Sequence, residues 1–477
     1  MSDAHHTHRL AEPVSPAGRL EVLNPFDLNL IGSVDTLDQA GIEAALATAE
    51  QVFRDRDAWL PPHERIAILR RTAAAMQRDS DRLAALIATE GGKPLVDARV
   101  EVERAIDGVL NCAEVLRGDG GREIPMTGTA AAAGRLAFTT HEPIGPVIAI
   151  SAFNHPLNLI VHQAGPALAA GCPVVVKPAE DTPLSCLAFI DLLREAGLPP
   201  GWAQALVTDG PASAEALATD PRVAFLSFIG SARVGWHLRA RIAPGTRCAL
   251  EHGGAAPVLI DASADPAAVV PALTKGGFYH AGQVCVSVQR VYAHRSIAEP
   301  LAQALAQAAA ALRVGDPSLA DTAVGPLIRP AEVYRVDDWV RSAVAGGAGL
   351  LSGGGPLSRT CYAPTVLFDP PADARVSKEE IFGPVICVYP YDDADAAIAA
   401  SNALPFAFQA AVFTEDLRFA LHAARQLDAS AIMINDHTAF RTDWMPFGGR
   451  RQSGLGTGGI PYSFADMRSE KLIVLRT

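Results

Sequence analysis

The stretch VIAISAFNHP, residues 147–156, joins a short apolar run to polar residues and a proline. Its first part, Val147–Ile150, has the length and β-branched content of a buried strand. A helical pattern follows at 157–170, and a second apolar strand follows at 174–176. The same rhythm continues to residue 250. Strands that alternate with helices predict a parallel sheet covered on both faces, which is an α/β fold.

A second series of strands and helices begins after Glu251 and predicts a second α/β domain. Two short strand-like segments, 122–125 and 135–142, predict a protruding hairpin. The last strand-like run, 471–475, has no later segment to pair with locally, so we expect it to reach the hairpin of a neighbouring subunit. The predicted division is a first domain of residues 1–122 and 143–250, a second domain of residues 251–435, and an arm of residues 123–142 and 460–477.

Length and charge exclude several classes of protein. The chain has 477 residues, too many for one hydrophobic core, and its net charge of −12 argues against nucleic acid as a partner. No apolar run approaches the roughly 20 residues of a membrane helix, so we expect no membrane partner. The polar start contains His5, His6 and His8; we expect a mobile, solvated tail there rather than a metal site or a signal peptide.

The chain has 7 cysteines, an odd number, and none of them forms a CxxC pair. This usage argues against a zinc site and a disulfide framework, and it favours a reducing, cytoplasmic compartment. Cys285 lies in a glycine-containing turn, GQVC, and Glu251 lies in LEHGG. A thiol and a carboxylate in such settings suggest a nucleophile and a base, because a cysteine must lose its proton to attack well and a carboxylate can activate water.

Polar residues directly follow the strands of the first predicted sheet, at the edge where ligands bind in such folds. Asn154 can donate an amide N–H to a developing oxyanion, although an asparagine near a proline is also typical of a plain turn. Lys177 and Glu180 suit ribose hydroxyls, with a surface ion pair as the alternative. Gly230 and Ser231 open a helix whose N-terminus suits phosphate, although no GxGxxG is present.

Together these stretches resemble the NAD(P)-dependent aldehyde dehydrogenase superfamily, over residues 24–475. The resemblance implies a Rossmann-type NAD-binding first domain, a catalytic second domain and an oligomerisation arm that builds a homodimer or homotetramer. The matching stretches, in order, are AFNHP (152–156), VKPAE (176–180), FIGS (228–231), LEHGG (250–254), GQVC (282–285), EEIFGPV (379–385) and PFGGRRQSG (446–454).

The resemblance implies a role for each catalytic residue. Cys285 attacks an aldehyde and forms a thiohemiacetal, with Asn154 and the Cys285 N–H holding the oxyanion. Hydride transfer to the nicotinamide leaves a thioester, and Glu251 activates the water that releases the acid. A CoA-acylating dehydrogenase and a redox-independent cysteine hydrolase are the alternatives; retention of Glu251 favours hydrolysis over transfer to CoA.

The cofactor implied is NAD, because Glu180 would repel a 2′-phosphate; NADP remains compatible, since many members use both. Lys177 and Glu180 are expected at the adenosine ribose, and Glu380 at the nicotinamide ribose with Phe382 beside the ring. The full set of expected cofactor residues is Ala152, Phe153, Lys177, Glu180, Phe228, Gly230, Ser231, Val234, Glu380 and Phe382. No metal is expected.

The substrate is expected to be a small polar or anionic aldehyde. The stretches FNHPLN (153–158) and FRTDWMP (440–446) look like the branch that contains the lactaldehyde, non-phosphorylating glyceraldehyde-3-phosphate and phosphonoacetaldehyde dehydrogenases. In that branch arginines recognise anionic substrates, which suggests Arg104 and Arg441, with His155 beside them. The alternative assigns both arginines to structural ion pairs. His252 stands where the family usually has an apolar residue.

Overall fold

The protein is described by a computed structural model that covers residues 4–476. Its first large sheet has six strands in the order β21-β11-β10-β6-β7-β8, and all are parallel except β21, which pairs antiparallel with β11. All four side chains of the central strand β6 are buried, as its apolar sequence predicts. The strands are β6 (Val147–Ile150), β7 (Val174–Lys177), β8 (Ala203–Ala205), β10 (Phe225–Ile229), β11 (Arg247–Glu251) and β21 (Gly454–Leu455).

Eight helices belong to this first half of the chain. The helix α5, directly after β6, is buried along its whole length, so it lies inside the protein rather than on a wet face. The helices are α1 (Gln39–Arg54), α2 (Pro62–Arg78), α3 (Ser80–Gly91), α4 (Leu95–Arg117), α5 (Asn158–Ala170), α6 (Leu184–Glu195), α7 (Pro211–Thr219) and α8 (Ala232–Arg239).

The second large sheet has seven strands in the order β14-β15-β16-β13-β12-β18-β19. All neighbours are parallel except β14 and β15, an antiparallel pair that the sequence patterns did not predict. The strands are β12 (Ala256–Ile260), β13 (Val288–His294), β14 (Gly349–Ser352), β15 (Thr365–Phe368), β16 (Val385–Tyr391), β18 (Gln409–Phe413) and β19 (Ala431–Ile434). The two α/β layers confirm the predicted fold class.

Helices also flank the second sheet. The last helix, α15, is an exception, because its Ile460 and Phe464 pack into the core that contains Val147 of the first sheet. The helices are α9 (Pro266–Phe278), α10 (Arg295–Ala310), α11 (Pro330–Ala345), α12 (Arg375–Lys378), α13 (Ala394–Asn402), α14 (Leu417–Gln426) and α15 (Ile460–Asp466). A two-stranded sheet of β17 (Phe406–Ala407) and β20 (Arg450–Arg451) lies between these elements in sequence.

A third sheet of three strands contains the predicted hairpin. Its strands β4 (Glu123–Ile124) and β5 (Arg135–Pro143) are antiparallel, and β22 (Arg468–Arg476) pairs along the whole of β5. The expectation that the last strand reaches the hairpin of a neighbouring subunit is therefore wrong, because the strand pairs with the hairpin of its own chain. This pairing was missed because Lys471 lies opposite Thr140, and local sequence patterns do not reveal contacts between residues so far apart in the chain.

The N-terminal residues are ordered in a small mixed sheet of β1 (Ala4–His6), β2 (Gly18–Leu23), β3 (Leu30–Leu37) and β9 (Val207–Thr208). The strand β1 runs parallel to β3, and His5 Nε2 lies 2.9 Å from the Asp35 carboxylate. The Arg9 N–H donates to the Ala205 carbonyl at 2.8 Å. The expectation of a mobile tail is wrong for these residues, because backbone pairing and the contact between His5 and Asp35 hold them; residues 1–3 lie outside the described part.

Within residues 4–476, no helix has the length and apolar character needed to cross a membrane. No cluster of three or more metal-binding side chains occurs there either, and this includes the neighbourhood of His5, His6 and His8.

Candidate active site

A cavity of about 1800 Å³ opens where β6, β7, β10 and β11 end. Loops of the second half of the chain, before β13 and before β16, close its other side. All 16 residues expected at the site line this cavity, and their roles remain predictions. They are Cys285, Glu251 and Asn154; the ten cofactor residues from Ala152 to Phe382; and Arg104, His155 and Arg441.

Cys285 lies in the turn between α9 and β13. The helix α9 ends at Phe278, just before His280, which adopts a left-handed φ of 47°. Gly282 has a φ of 71°, and a Cβ there would lie 2.1 Å from the carbonyl oxygen of Gly383. Only glycine fits this position, so Gly282 allows the turn that carries Cys285 to pack directly against the backbone at Gly383.

The Cys285 thiol has apolar neighbours and two acidic ones. Val284 and Val286 are buried beside it. Burial, together with the negative charges of Glu251 and Glu380, raises the pKa of Cys285 to about 12. The thiol is therefore protonated at neutral pH, and attack on a carbonyl requires removal of its proton.

Asn154 projects from the loop after β6 and is almost fully buried. Its Nδ2 donates to the backbone carbonyl of Gln283 at 2.9 Å, two residues before the cysteine. The Gln283 side chain is itself anchored, since its Oε1 accepts from Ile328 N at 2.9 Å. One N–H of the Asn154 amide thus ties the two halves of the chain together, and the second N–H is left for another acceptor.

Glu251 is the last residue of β11, and its backbone pairs with Gly454 of β21. A Cβ at Gly458 would lie 2.2 Å from Glu251 Oε1, so the carboxylate lies directly over that glycine. Burial raises the pKa of Glu251 above its usual value, and the charge of Arg441 opposes the rise. A carboxylate with a raised pKa is a better proton acceptor than a solvated one.

The part of the cavity beside β7 and β10 is here called the cofactor arm. Lys177 is buried at the end of β7 and forms an ion pair with the more exposed Glu180. Burial alone would raise the pKa of Glu180, but the charge and hydrogen bond of Lys177 lower it below its usual value. The alternative considered from sequence, an ion pair between these residues, is thus present; a ribose hydroxyl would have to compete with it or bind beside it.

Two glycines of the cofactor arm let neighbouring side chains approach the backbone more closely than any other residue would allow. A Cβ at Gly253 would lie 1.8 Å from Glu380 Oε2, and the other carboxylate oxygen accepts from Gly254 N at 3.0 Å. Burial raises the pKa of Glu380 to about 7. A Cβ at Gly230 would lie 2.9 Å from the ring of Phe228. The two glycines thus allow Glu380 and Phe228 to pack directly against the backbone at the edge of the cavity.

The helix α8 begins directly after Ser231, and no side chain within residues 4–476 caps its N-terminus. Free N–H groups at a helix start attract phosphate oxygens. Two phenylalanines, Phe153 and Phe382, meet edge to face across the arm with centroids 5.9 Å apart. The polar pair of Lys177 and Glu180, the uncapped N-terminus of α8 and the two phenylalanines fit a dinucleotide, as the sequence predicted.

The part of the cavity beside α4 and α9 is here called the substrate arm. Arg104 donates from Nη2 to Asp443 Oδ1 at 2.7 Å and from Nε to Oδ2 at 3.3 Å. The alternative of a structural ion pair therefore holds for Arg104. Burial alone would raise the pKa of Asp443, but the hydrogen bond from His162 and the charge of Arg104 outweigh it and hold the pKa well below its usual range.

Arg441 differs from Arg104, because it forms no ion pair with a carboxylate in the described part of the chain. Its guanidinium lies 3.6 Å from the ring centroid of Phe447, and Nη2 donates to His162 Nδ1 at 3.2 Å. Its buried Nε has no acceptor within residues 4–476. Burial lowers the pKa of Arg441, and the charge of Glu251 opposes this. An arginine always carries its charge in proteins, so Arg441 is a cation without a carboxylate partner in residues 4–476.

His155 lines the cavity with its ring against Tyr279, whose hydroxyl lies 3.3 Å from Nε2. Burial, helped by the charge of Lys93, holds the pKa of His155 well below its usual value. His252 turns away from Glu251: its Nδ1 donates to the Gln452 carbonyl at 2.9 Å, and its ring packs against Trp236. His252 is thus part of the packing under α8.

Sequence reasoning missed the partners of the two arginines, namely Asp443 and His162. Asp443 lies in the stretch FRTDWMP (440–446), and His162 lies in the helical pattern at 157–170, but neither was assigned a role. The contact between them joins residues 281 positions apart. The available signal was that His162 is the one ionisable residue of the buried helix α5.

Residues 13–473 match the sequence profile of the Aldehyde dehydrogenase family. The chain belongs to this family, which confirms the predicted family and fold, and it is an oxidoreductase that acts on aldehydes with NAD or NADP.

Individual relatives cover almost the whole chain. A 3-sulfolactaldehyde dehydrogenase of Priestia aryabhattai is 36% identical over 459 residues, which are 96% of this chain and 95% of that protein. The crystal structure of aldehyde dehydrogenase 21 from Physcomitrella patens, in complex with the reaction product succinate, has a TM-score of 0.95 at 33% identity and covers 100% of this chain and 99% of that one. The glyceraldehyde-3-phosphate dehydrogenase GapN of Methanocaldococcus jannaschii, complexed with NADP, has a TM-score of 0.91 at 33% identity and covers 96% and 99%.

Proposed function

We propose that this protein oxidises a small aldehyde with a monoanionic head group to the acid, with Cys285 as nucleophile, Asn154 as oxyanion donor and Glu251 as base. The observation that supports this proposal most strongly is that all three line one cavity together with the uncompensated cation of Arg441. The cavity also contains the expected cofactor residues.

In the proposed mechanism the Cys285 sulfur attacks the aldehyde carbon as the thiol proton passes to a water molecule in the cavity. The amide N–H of Asn154 that is not bonded to Gln283, together with the Cys285 N–H, stabilises the oxyanion of the thiohemiacetal; one such donor is worth about 10²–10³ in rate. When bound, the nicotinamide accepts the hydride. Glu251 then removes a proton from the water that attacks the resulting thioester, and the raised pKa of Glu251 suits this task.

The cofactor arm is proposed to hold NAD in preference to NADP. Ser231 and Val234 would flank the pyrophosphate at the start of α8, and Glu380 would bind the nicotinamide ribose. Glu180 would oppose a 2′-phosphate, but Lys177 already neutralises part of its charge. We therefore expect a modest preference for NAD with measurable use of NADP, the cofactor of the Methanocaldococcus jannaschii structure.

The monoanionic head group follows from the charges of the substrate arm. Asp443 compensates Arg104, whereas the guanidinium of Arg441, with its buried Nε, has no carboxylate partner within residues 4–476. Lys275 of α9, the other lining cation of this arm without an ion pair in that range, is exposed. One uncompensated charge matches a carboxylate or sulfonate better than a phosphate dianion. The relatives named above act on or contain a sulfonated aldehyde, the dicarboxylate succinate and a phosphorylated aldehyde, so the family offers all three head groups.

The test is a kinetic comparison of matched aldehydes with NAD and with NADP. The substrates are 4-oxobutanoate, its uncharged amide 4-oxobutanamide, and glyceraldehyde 3-phosphate. We expect the highest kcat/KM with the monoanion, and the amide lower by roughly tenfold or more. A preference for the amide or for long apolar aldehydes would refute the substrate proposal. A requirement for CoA would refute hydrolysis by Glu251.

We also propose a homodimer or homotetramer joined through the arm of residues 123–142 and 460–477. The strand β22 is an edge of its sheet and exposes Leu472 and Val474, on one face. Sedimentation of Leu472→Lys/Val474→Lys should show smaller particles than the unaltered protein.

The proposed domains are 1–122 with 143–250 for NAD binding and 251–435 for catalysis. The 7 free cysteines support a reducing, cytoplasmic location.

A further inference from the structure

A continuous chain of hydrogen bonds connects the two arginines of the substrate arm. Asp443 Oδ1 accepts from Arg104 Nη2 at 2.7 Å and from His162 Nε2 at 2.7 Å. The other ring nitrogen of His162, Nδ1, lies 3.2 Å from Arg441 Nη2. Asn158 Nδ2 adds a third donor to Asp443 Oδ1 at 3.3 Å.

The order of donors and acceptors in this chain allows one arrangement of protons. An ionised carboxylate only accepts hydrogen bonds, so His162 must carry its proton on Nε2. A guanidinium only donates, so His162 Nδ1 must present its lone pair to Arg441. Burial, with the charge of Arg441, lowers the pKa of His162 to about 4, so the ring is neutral at physiological pH. Every contact in the chain is then satisfied.

His162 and Asp443 stand behind the cavity rather than in it. Both are buried, and neither is among the residues that line the cavity, whereas Arg441 is. The guanidinium of Arg441 is thus held on two sides, by the ring of Phe447 and by the lone pair of His162. Its Nε is buried without an acceptor, and no residue within 4–476 accepts from Nη1, which leaves the N–H groups of Nη1 for a ligand.

We propose that His162 and Asp443 are positioning residues, with Asp443 fixing the tautomer of His162 so that His162 orients Arg441 toward the anionic head group of the substrate. This inference rests on the proposed function, because it deepens the account of substrate selection. Neither residue touches the reacting atoms. Their effect is therefore expected in KM for charged substrates and not in the chemical steps at Cys285.

The kinetic test compares two substitutions at His162 with a matched control. His162→Phe keeps a ring but removes both nitrogens, and it should raise KM for 4-oxobutanoate roughly tenfold with little change in kcat. His162→Gln offers one donor and one acceptor, and it should restore much of the loss. KM for 4-oxobutanamide should hardly change in either variant. His422→Phe is the control, because His422 also pairs with an aspartate, Asp395, but on the surface.

A purely structural role for His162 would give a different result. It would lower kcat and raise KM equally for the charged and the uncharged substrate, and the glutamine variant would be no better than the phenylalanine variant. Either outcome would overturn the proposal. Thermal unfolding of each variant, followed by circular dichroism, would show whether the fold is retained.

The tautomer can be tested on the unaltered protein, without any substrate. Neutron diffraction should place the His162 proton on Nε2 and none on Nδ1. A proton on Nδ1, or on both nitrogens near pH 7, would contradict the inference even if the enzyme selects anionic aldehydes. Conversely, the expected tautomer with no discrimination between the acid and the amide would leave the hydrogen-bond chain in place but refute the proposed function, and with it the role in substrate selection.

Discussion

The two arms of the cavity contain buried cations in opposite states. In the cofactor arm, Lys177 is neutralised by Glu180 three residues later. In the substrate arm, Arg104 is neutralised by Asp443, but Arg441 forms no ion pair within residues 4–476 and contacts a neutral histidine and an aromatic ring. The two arms meet at Cys285.

This difference separates two ways of recognising a ligand. A dinucleotide offers many contacts, so glycine backbone, a helix N-terminus and a neutral ion pair suffice to bind it. A small aldehyde offers few contacts, and a single uncompensated charge in a partly dry site can dominate its selection. Substitutions in one arm should therefore leave the ligand of the other arm unaffected.

The largest effect is expected where the arms meet. Cys285→Ala should lower NADH formation by about 10⁴-fold or more for every aldehyde and either cofactor, because no covalent adduct can form. Absorbance of NADH measures this directly. Cys248→Ala is the matched control, since Cys248 is partly exposed outside the cavity. Full activity without Cys285 would refute the assignment.

The pH dependence of kcat/KM should reflect the thiol of Cys285, where the two arms meet. Because burial and two acidic neighbours raise the pKa of Cys285 to about 12, the thiolate fraction rises about tenfold per pH unit below that value. If attack limits the rate, kcat/KM should increase about 100-fold from pH 7 to pH 9 and not level off. A plateau near pH 7 would show that the free enzyme already holds a thiolate.

Arg441→Leu should act chiefly on the substrate arm, with a further rise in the pKa of Glu251 as the expected effect outside it. Loss of a charge-assisted hydrogen bond is expected to lower kcat/KM for 4-oxobutanoate by roughly 10- to 100-fold. KM for NAD and kcat/KM for 4-oxobutanamide should change little. Equal losses for the acid and the amide would mean that Arg441 supports the structure instead of selecting charge.

The smallest effect is expected in the cofactor arm. Glu180→Gln removes a negative charge and frees Lys177, so the ratio of NADP to NAD activity should rise by about three- to tenfold. The aldehyde KM should stay the same. Glu195→Gln provides a control, because Glu195 is an exposed residue paired with Arg78. No change in the cofactor ratio would remove Glu180 from cofactor choice.

The predictability of the site follows the same division. Lys177 and Gly230 could be placed from sequence because they directly follow strands whose order fixes the ligand-binding edge. The contacts of Arg441 could not, because they join it to His162 across 279 positions, and no local pattern encodes such a contact. Local patterns likewise predicted β22 and β5 as strands but not their pairing within one chain, and they missed β14 and β15, which lie among irregular segments.

In the proposed mechanism Cys285 carries the acyl group until Glu251 activates water. Glu251→Gln removes the base and keeps the shape, so mixing this variant with NAD and 4-oxobutanoate should give a burst of NADH equal to the number of active sites. Steady-state turnover should fall by about 10²–10⁴-fold. Mass spectrometry should then find the acyl group on the peptide that contains Cys285. Undiminished steady-state turnover, or an acyl group on another residue, would contradict the account.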